Sequence, residues 1–434
     1  MSDLPTGWIK TKLGEVSEIN MGQSPSGTAT NSNGQGIPLV GGASDFEEDI
    51  LTPTRYTSAP TKICQPNDLI LCIRATIGKL ALAKGSYCLG RGVAGIRSDS
   101  TKINSHWLCY ALIKDAVELD KAGTGSTFRS ISKETIFSWI IPLPPLDEQR
   151  RIVAKLDTLF SHTRKAREEL DRIPDLIKRY KQAVLSAACS GKLTEDWRRE
   201  NDCEKWNKLK LENVANIIDP HPSHRTPKEC KEGVPYLGIG DINSDGKFDF
   251  VNARQVSIDI LKEHQERYTL TEGDLIFRKI GTLGKVTRLP LDCKYTLSAN
   301  VILIQPISNI VEHSYLFYFL QAPETMKIVL DQSNSTSQAA FGIKKLRAFE
   351  FMIAALPEQQ EIVKRLEEKF KAIEQMEAQY QKASKLLDRL EQATLSKAFR
   401  GELVPQDPND EPASVLLERI LAEKQPKKKA EPRK

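Results

Sequence analysis

The feature that most constrains this chain is an internal repeat. Residues 146–194 align with residues 356–404 at a constant offset of 210 positions, without a gap, and 16 of the 49 aligned positions are identical. The strongest matches are a Leu-x-Glu-Gln sequence at the start of each segment and a Gln-Ala-x-Leu-Ser sequence near its end. A repeat of this length predicts that the chain is built from two related halves.

Both repeated segments are predicted to form long helices. In each segment, mostly apolar residues recur at alternating steps of four and three, which is the spacing of the contact face, or seam, of a coiled coil. Gly191 and Gly401 suit the helix ends, whereas Pro174 predicts a kink or a break in the first helix. Two helices with the same seam favour antiparallel, pseudo-two-fold pairing; the alternative is that each helix packs only on its own domain. The predicted seam positions are Ile152, Leu156, Leu159, Thr163, Ala166, Leu170, Ile173, Ile177, Tyr180 and Val184, and Ile362, Leu366, Lys369, Ile373, Met376, Tyr380, Ala383, Leu387, Leu390 and Thr394.

The segments that precede the helices repeat more loosely. Residues 8–16 resemble residues 206–214, and an Asp-Leu-Ile run followed by Thr-x-Gly-Lys occurs at 68–79 and again at 274–285. Short β-like runs alternate with turns and helical patches in both segments, so each is predicted to be an α+β module. The predicted boundaries are 1–145 for the first module, 146–190 for the first helix, 191–204 for a linker, 205–355 for the second module, 356–400 for the second helix, and 401–434 for a C-terminal segment with a basic tail.

Composition limits where such a chain works and what it binds. It has no run of about 18 apolar residues to span a membrane and no signal peptide at its start, so a cytoplasmic location is expected. The eight cysteines show no Cys-x-x-Cys spacing and are expected to be reduced. A net charge of +5 permits an acidic partner such as nucleic acid without requiring one.

The sequence offers no complete motif for catalysis or metal binding. The Gly-Lys pairs at 78–79 and 284–285 are not followed by Ser or Thr, so neither completes a P-loop. His221, His224 and Cys230 lack further ligands at regular spacing, so no zinc site is predicted. A lone Asp-Cys-Lys triplet does not indicate a nuclease, and the Asn-Pro-Pro-aromatic tetrapeptide of amino-methyltransferases is missing. We therefore predict no catalytic residue, metal ligand or bound cofactor.

What remains is a candidate binding surface. In each module a loop that follows a predicted strand carries basic residues around small ones, and such a loop offers donors to phosphates and base edges. Arg74 and Arg278 stand at even positions after an Asp, so they are predicted to share a strand face. The alternative is an ordinary solvated loop. The candidate DNA-binding residues are Arg74, Thr76, Lys79, Arg91, Thr127, Arg129, Arg225, Arg278, Lys279, Thr282, Lys285, Ser335, Lys344 and Lys345.

The order of these motifs resembles that of the DNA specificity subunits of type I restriction-modification systems. The resemblance covers essentially the whole chain. Its pieces are Met-Gly-Gln-Ser-Pro at 21–25, Thr-Ile-Gly-Lys at 76–79, Leu-Pro-Pro-Leu-Asp-Glu-Gln at 143–149 and Ser-Gly-Lys-Leu-Thr-Glu-Asp-Trp at 190–197, with partners in the second half. Residues 219–223 depart from the Met-Gly-Gln-Ser-Pro sequence at 21–25, as expected if the two modules bind different DNA sequences.

The resemblance implies a non-catalytic subunit that binds DNA sequence-specifically. Each module would be a target-recognition domain that reads one half of a bipartite, asymmetric target in double-stranded DNA, and the paired helices would set the unread spacer. The helices would also dock two modification (methyltransferase) subunits, joined by two restriction (translocase and endonuclease) subunits. S-adenosylmethionine, ATP and Mg are expected on those partners, not on this chain. The candidate partner-binding residues are Glu148, Gln149, Phe160, Glu358, Gln359 and Phe370.

Two other functions stay open at the level of sequence. One is a non-catalytic coiled-coil adaptor that contacts only protein partners. The other is a self-contained DNA methyltransferase or nuclease, against which the missing motifs argue. The amphipathic piece at 414–424 is expected to complete the scaffold beside the N-terminal residues. The lysines at 427–429 are expected to be a solvated end, with a DNA clamp as the alternative.

Overall fold

The computed structural model describes residues 4–47, 49–125, 129–203, 205–221, 223, 225–243, 246–281, 283–333 and 340–424. Its contacts divide the chain into two compact units. The first unit combines Met1–Leu170 with Lys382–Lys434, and the second is Asp171–Gln381. Each unit therefore holds one module together with part of both long helical segments. No helix in the described ranges is long and apolar enough to cross a membrane.

Short strands and helices build the module of the first unit. Its strands are Ile9–Lys12, Glu18–Met21, Thr30–Asn31, Ile37–Val40, Phe46–Glu47, Ile50–Leu51, Arg55–Thr57, Leu69–Cys72, Leu80–Leu82, Cys88–Leu89, Val93–Arg97 and Ile140–Leu143. Its α-helices are Leu13–Val16, Ser105–Lys114, Ala116–Lys121 and Lys133–Phe137, and its 3-10 turns are Gly27–Ala29 and Ala43–Asp45.

The module of the second unit has a similar set of elements. Its strands are Asn207–Lys210, Ala215–Ile218, Val234–Leu237, Gln255–Val256, Leu275–Arg278, Val286–Arg288, Thr296–Leu297, Val301–Pro306 and Glu350–Ile353. Its α-helices are Ile258–Gln265, His313–Leu320, Pro323–Asp331 and Ile343–Arg347, and its 3-10 turns are Leu211–Asn213 and Ile239–Asp241.

A central antiparallel sheet organises the first module. Val93–Arg97 pairs with Glu18–Met21 on one side and with Leu69–Cys72 on the other, and Leu69–Cys72 continues into a hairpin with Leu80–Leu82. Leu69–Cys72 is buried along its whole length. Successive residues of this strand enter two different hydrophobic cores, one on each face of the sheet. This explains why the strand reads as a continuous apolar run rather than an alternating one.

The second module repeats this sheet with the same strand order. Val301–Pro306 pairs with Ala215–Ile218 and with Leu275–Arg278, which forms a hairpin with Val286–Arg288. The register places Val301 opposite Arg278, as it places Val93 opposite Cys72 in the first module. Arg278 therefore occupies the position of Cys72. In each module a shorter sheet also contains a parallel pair, Ile37–Val40 with Cys88–Leu89 and Val234–Leu237 with Thr296–Leu297.

The first long helix is broken next to Pro174, as the sequence predicts. Its two parts, Leu146–Asp171 and Ile173–Cys189, are separated by Arg172, and Pro174 lies in the first turn of the second part. Proline is tolerated there because the first turn has no intrahelical partner for its backbone N–H group. The second helix has no proline in its interior and runs unbroken from Leu356 to Ala398.

The helices pair antiparallel, as predicted. In the first unit, the Arg167 guanidinium lies 2.7 Å from a carboxylate oxygen of Asp388, whereas Leu156 shares a core with Leu395 further along the second helix. Residue numbers thus rise along one helix as they fall along the other. In the second unit, Lys181 Nζ is 3.6 Å from a Glu377 carboxylate oxygen, while Val184 and Ala188 share a core with Ile362 and Leu366. Each unit by itself shows the antiparallel direction.

The predicted apolar seam is wrong at several positions. Ala166, Tyr180, Met376 and Leu390 are exposed, although the 3.5-residue spacing places them at the helix interface. Their neighbours are less exposed and several are charged, namely Arg167, Lys181, Glu377 and Glu391. A straight α-helix has 3.6 residues per turn, so a face defined by 3.5 drifts steadily around it. The predicted seam is buried at other positions, such as Thr163, Ile177 and Ile373, and ion pairs lie beside it.

The segment assigned to a linker and the C-terminal segment are both structured. Lys192–Thr194 forms a 3-10 turn and Glu195–Glu200 a helix, where the Arg198 guanidinium stacks 5.5 Å from the Trp206 ring. In the first unit, helix Ala413–Lys424 buries Leu416 and Ile420 in the module's core, as expected for a piece that completes the scaffold. The predicted basic end at 427–429 lies outside the described residues.

Candidate nucleic-acid interface

The hairpin turn of the first module carries several candidate DNA-binding residues. The backbone N–H of Cys72 donates to the carbonyl of Lys79 over 2.8 Å, and the N–H of Gly78 donates to the carbonyl of Cys72 over 3.1 Å. Ala75 and Gly78 have positive φ angles of 60° and 95° within this turn. The turn is therefore tight, and it leaves Arg74, Thr76 and Lys79 exposed at the end of the sheet.

Two further loops are bonded to this turn. Ile73 donates its N–H to the Gly92 carbonyl over 2.9 Å and accepts a hydrogen bond from the N–H of Ile131 over 3.1 Å. The N–H of Ala75 donates to the Arg129 carbonyl over 3.2 Å. These bonds bring the loops that carry Arg91 and Arg129 next to the turn that carries Arg74. Sequence positions far apart thus form one exposed basic edge.

The three arginines of this edge differ in what they contact. Arg129 is exposed and its guanidinium lies 3.1 Å from an Asp120 carboxylate oxygen. Arg91 donates from both its backbone N–H and its Nε to Ser24 Oγ, at 3.3 Å each. Among the described residues, the Arg74 side chain makes no hydrogen bond or ion pair. With respect to these residues, its guanidinium is available to a ligand.

A cluster of glycines supports this edge, and the sequence reasoning missed it. A Cβ atom at Gly22 would lie 2.1 Å from the Gly90 carbonyl oxygen, and one at Gly92 would lie 2.2 Å from the Gly41 carbonyl oxygen. The backbones of three loops therefore touch directly, which only glycine permits. The available signal was the Leu-Gly-Arg-Gly sequence at 89–92, which places Arg91 between two such glycines.

The second module repeats the framework of the turn. The N–H of Arg278 donates to the Lys285 carbonyl over 3.0 Å, and the N–H of Gly284 donates to the Arg278 carbonyl over 3.0 Å. The N–H of Phe341 donates to the Lys279 carbonyl over 3.0 Å, equivalent to the bond from Ile131 to Ile73. The same two loops are thus joined in both modules.

Arg278, a candidate DNA-binding residue, is buried rather than exposed. Its side chain is 5% exposed, at the position of the buried Cys72, and burial lowers the pKa of its guanidinium. Arg74 lies beyond the end of its strand and is exposed. Counting even positions failed because strand alternation applies only within the strand. Arg278 is therefore a core residue, and the prediction that it shares a strand face with Arg74 is wrong.

The remaining candidates of the second module are dispersed. Arg225 and Lys344 are exposed, and Lys279 and Lys285 are partly buried. Lys345 donates from Nζ to the Gln332 carbonyl over 2.6 Å. The predicted sites at Thr127, Thr282 and Ser335 lie outside the described residues.

A buried histidine pair contacts the backbone of Arg225. His221 Nδ1 lies 2.7 Å from His264 Nε2, and His221 Nε2 lies 2.8 Å from the Arg225 carbonyl oxygen. The other ring nitrogen of His264 contacts the Thr296 hydroxyl. Burial, followed by the charge of His221, lowers the pKa of His264 to about 4. Within the described ranges no group of three His, Cys, Asp or Glu residues is placed to hold a metal ion.

Four candidate partner-binding residues lie inside this chain, which corrects that prediction for them. Glu148, Gln149, Glu358 and Gln359 are at most 1% exposed. Gln149 Oε1 accepts from the N–H of Asn104 at 2.9 Å, which ties the first turn of the long helix to the module. Gln359 Oε1 does the same with a backbone N–H of the second module, at 2.8 Å. The repeated Glu-Gln pair therefore joins each helix to its own module.

The two glutamates hold equivalent tryptophans. Trp8 Nε1 donates to Glu148 over 2.9 Å, and Trp206 Nε1 donates to Glu358 over 2.9 Å. The other two candidates, Phe160 and Phe370, are half-buried and pack against tyrosines of their own modules. Their ring centroids lie 5.5 Å from Tyr110 and 5.2 Å from Tyr318, respectively.

The fold is that of a known class of protein. The family described as the type I restriction modification DNA specificity domain matches residues 5–173 and 203–384. The EcoKI specificity subunit of Escherichia coli strain K12 is 27% identical over 97% of this chain and 96% of its own length. The EcoBI specificity subunit of Escherichia coli is 26% identical over 96% of this chain and 92% of its own.

Solved structures agree on the fold. The HsdS subunit from Thermoanaerobacter tengcongensis superposes with a TM-score of 0.54 and 21% identity, covering 92% of this chain and 98% of its own. A chain from a study of complex assembly and conformational transition of the type I R-M system gives a TM-score of 0.70 and 19% identity, covering 93% and 100%. The chain therefore belongs to the DNA specificity subunits of type I restriction-modification systems.

Proposed function

We propose that each module reads one half of a bipartite, asymmetric target in double-stranded DNA. The observation that carries this proposal is the repeated backbone framework with unlike side chains. Both modules present a hairpin turn joined to a second loop, yet Arg74 of the first module corresponds to Ile280 of the second. Equal frameworks suit binding to the same duplex backbone, and unlike side chains suit unlike base sequences.

The paired helices would set the spacer between the two half-sites. Within each unit the helices run antiparallel and are anchored to the module through the buried Glu-Gln pair. A module that is fixed to its helix moves with it, so helix length would determine the number of unread base pairs.

The helices would also dock two modification subunits. Leu176 and Leu386 are aligned by the repeat, and both are exposed, at 58% and 62%. Tyr180 and Leu390, one helical turn further on, are exposed at 42% and 53%. Residues four apart share a helix face, so each unit presents an outward apolar pair at the same repeat positions. Two similar faces suit two identical partners, as expected of two modification subunits.

In this proposal the chain selects sequence and carries out no chemistry. S-adenosylmethionine would bind the modification subunits, and ATP and Mg would bind two restriction subunits that join the complex. The chain itself would bind no cofactor.

The experiment for DNA reading is a module exchange. Cells would be mapped for methylated adenine genome-wide with this subunit, without it, and with residues 1–145 replaced by those of another specificity subunit. We expect methylation at one bipartite sequence that depends on the subunit, and a change in one half-site only after the exchange. A change in both halves would contradict the modular proposal.

The experiment for docking replaces the exposed apolar pairs. Leu386→Ser with Leu390→Ser is expected to weaken assembly with the modification subunit while the melting temperature stays within a degree or two of the unaltered chain. Lys385→Ser, a neighbouring exposed position, is the matched control. Unchanged assembly in the double variant would overturn the docking surface.

Crosslinking of DNA to the complex and assays of the purified chain separate the alternatives. A protein-only adaptor would leave DNA crosslinked solely to the partner subunits, and DNA binding by the complex would not respond to changes in this chain. A self-contained methyltransferase or nuclease would modify or cut DNA as the purified chain alone.

A further inference from the structure

The hairpin turns of the two modules share one basic position. Lys79 and Lys285 each follow a glycine with positive φ, Gly78 at 95° and Gly284 at 78°. A Cβ atom at either glycine would lie 3.0 Å from an atom of the helix packed behind the turn. Both glycines are therefore favoured by the backbone conformation, and each precedes a lysine at the same place in the turn. The lysine is thus a common feature of two otherwise different loops.

The arginines of the first module have no basic counterpart in the second. An isolated β-bridge joins Arg74 to Ser130, and its counterpart joins Ile280 to Ala340. The strand registers place Val93 opposite Cys72 and Val301 opposite Arg278, so Arg91 corresponds to Ala299. Two exposed guanidinium groups of the first module are therefore replaced by an isoleucine and an alanine.

Resting on the proposed function, we propose a division of labour within this surface. Lys79 and Lys285 contact DNA phosphates and position each module without reading sequence. Arg74 and Arg91 read base edges in the half-site bound by the first module.

The chemistry of the side chains supports this division. The lysine ammonium is a compact charge with rotatable donors, which suits a phosphate of any nucleotide. The guanidinium is a rigid fork that matches the two acceptors of guanine in the major groove. Both modules meet the same sugar-phosphate backbone, so a shared residue fits the phosphate, and residues that differ fit bases that differ. The first half-site is therefore expected to contain guanine where Arg74 and Arg91 make contact.

The test uses the full chain assembled with its modification subunit. A pool of duplexes with randomised positions is bound, the bound fraction is sequenced, and binding of the selected sequence is titrated with salt. Lys79→Ala and Lys285→Ala are expected to weaken all sequences alike, to leave their ranking unchanged, and to reduce the salt slope by about one each. Arg74→Ala and Arg91→Ala are expected to lower the preference at single positions of one half-site by roughly fivefold or more.

Conservative and control variants keep the outcome decisive. Arg74→Lys retains the charge but lacks the fork, so it should lose base preference with little change in salt slope. Lys84→Ala, an exposed position at the other end of strand Leu80–Leu82, should change neither quantity. A changed sequence ranking in the lysine variants, or an unchanged ranking in the arginine variants, would overturn the division of labour. Failure of the unaltered complex to select any bipartite sequence would instead overturn the proposed function.

Discussion

At the residue scale, two aligned glutamates have different surroundings. Glu358 accepts hydrogen bonds from Trp206 and Thr194 and pairs with the Arg198 guanidinium at 2.8 Å. Glu148 accepts one from Trp8, and its other carboxylate oxygen has no partner among the described residues. Burial raises the pKa of Glu148. The buried carboxylate of Glu358 therefore has hydrogen bonds and an ion pair to stabilise its charge, whereas the carboxylate of Glu148 has a single hydrogen bond within the described part of the chain.

This difference predicts unequal effects of removing the two charges. Glu358→Gln leaves the Arg198 charge uncompensated and is expected to cost about 2–4 kcal/mol of unfolding free energy. Glu148→Gln is expected to change it by less than about 1 kcal/mol, since its ionised form is already disfavoured. Urea unfolding at neutral pH measures both, and equal losses would contradict this account.

The raised pKa of Glu148 in the folded state also predicts a dependence of stability on pH. The free energy of unfolding should fall as the pH rises above the unfolded value of 4.5, and Glu148→Gln should remove that trend.

The lowered pKa of His264 predicts that the second unit loses stability at acidic pH. The pKa of this histidine is lowered from 6.5 to about 4, so the unfolded state binds the proton more readily. Stability is fully present above the unfolded pKa and is expected to decline as pH falls from 6.5 toward 4. The loss should be on the order of 2–3 kcal/mol. His264→Gln should flatten the pH dependence measured by thermal unfolding. A profile as steep as that of the unaltered chain would exclude this residue as the cause.

At the element scale, the long helices combine buried apolar residues, which include Ile177 and Ile373, with partly exposed ion pairs. Near the modules, buried residues such as Leu156 and Leu395 join the module cores. Further along the first helix, Arg167 lies 2.7 Å from Asp388 and 3.2 Å from Glu391. These ion pairs are partly exposed and contribute about 0–1 kcal/mol each. The buried apolar residues therefore stabilise the pairing, while the ion pairs favour one register.

Two leucines of the second helix test whether burial, and not the 3.5-residue spacing, decides which residues stabilise the helix pair. Leu395→Ala removes a side chain that is 5% exposed in the first unit's core, so a loss of about 2–4 kcal/mol is expected. Leu390→Ala removes one that is 53% exposed, and a change within about 0.5 kcal/mol is expected. Urea unfolding compares them directly. The 3.5-residue seam predicts a large loss at Leu390, so that result would restore the simple coiled-coil pattern.

At the scale of the whole molecule, each unit is assembled from segments distant in sequence. In the first unit the N–H of Ala413 donates to the Gly7 carbonyl over 3.0 Å, and Lys424 Nζ donates to the Gly14 carbonyl over 3.1 Å. The last described helix therefore closes onto the first strand and helix of the chain. In the second unit, Thr194, Arg198 and Trp206 all contact Glu358 in the first turn of the second long helix.

This arrangement predicts that truncation acts on one unit. A chain that ends at Glu411 lacks Leu416 and Ile420, which are 2% and 5% exposed in the first unit's core. Its first unit should melt at a lower temperature, whereas the transition of the second unit should be retained in scanning calorimetry. A chain that ends at Lys424 is the control and should melt like the full chain. Loss of both transitions in the shorter chain would contradict separate stabilities.

The candidate site was only partly predictable. The Thr-Ile-Gly-Lys turn was found from sequence because its glycine has a local backbone cause, the positive φ of Gly78. Arg278 was misplaced because its burial depends on which face of the sheet a second layer covers. Arg91 and Arg74 become neighbours through the bond from Ile73 to Gly92, and nothing in their local sequence indicates it.

The sequence by itself determined the twofold construction, the two long helical segments and the break before Pro174, because repeats, apolar periodicity and proline act locally along the chain. Only the tertiary structure decided which residues of those helices face inward and which remain exposed. It also decided that the repeated Glu-Gln pair is internal and that three distant loops form one basic edge. The physical reason is that burial and neighbourhood depend on contacts between segments far apart in the chain, which no local pattern records.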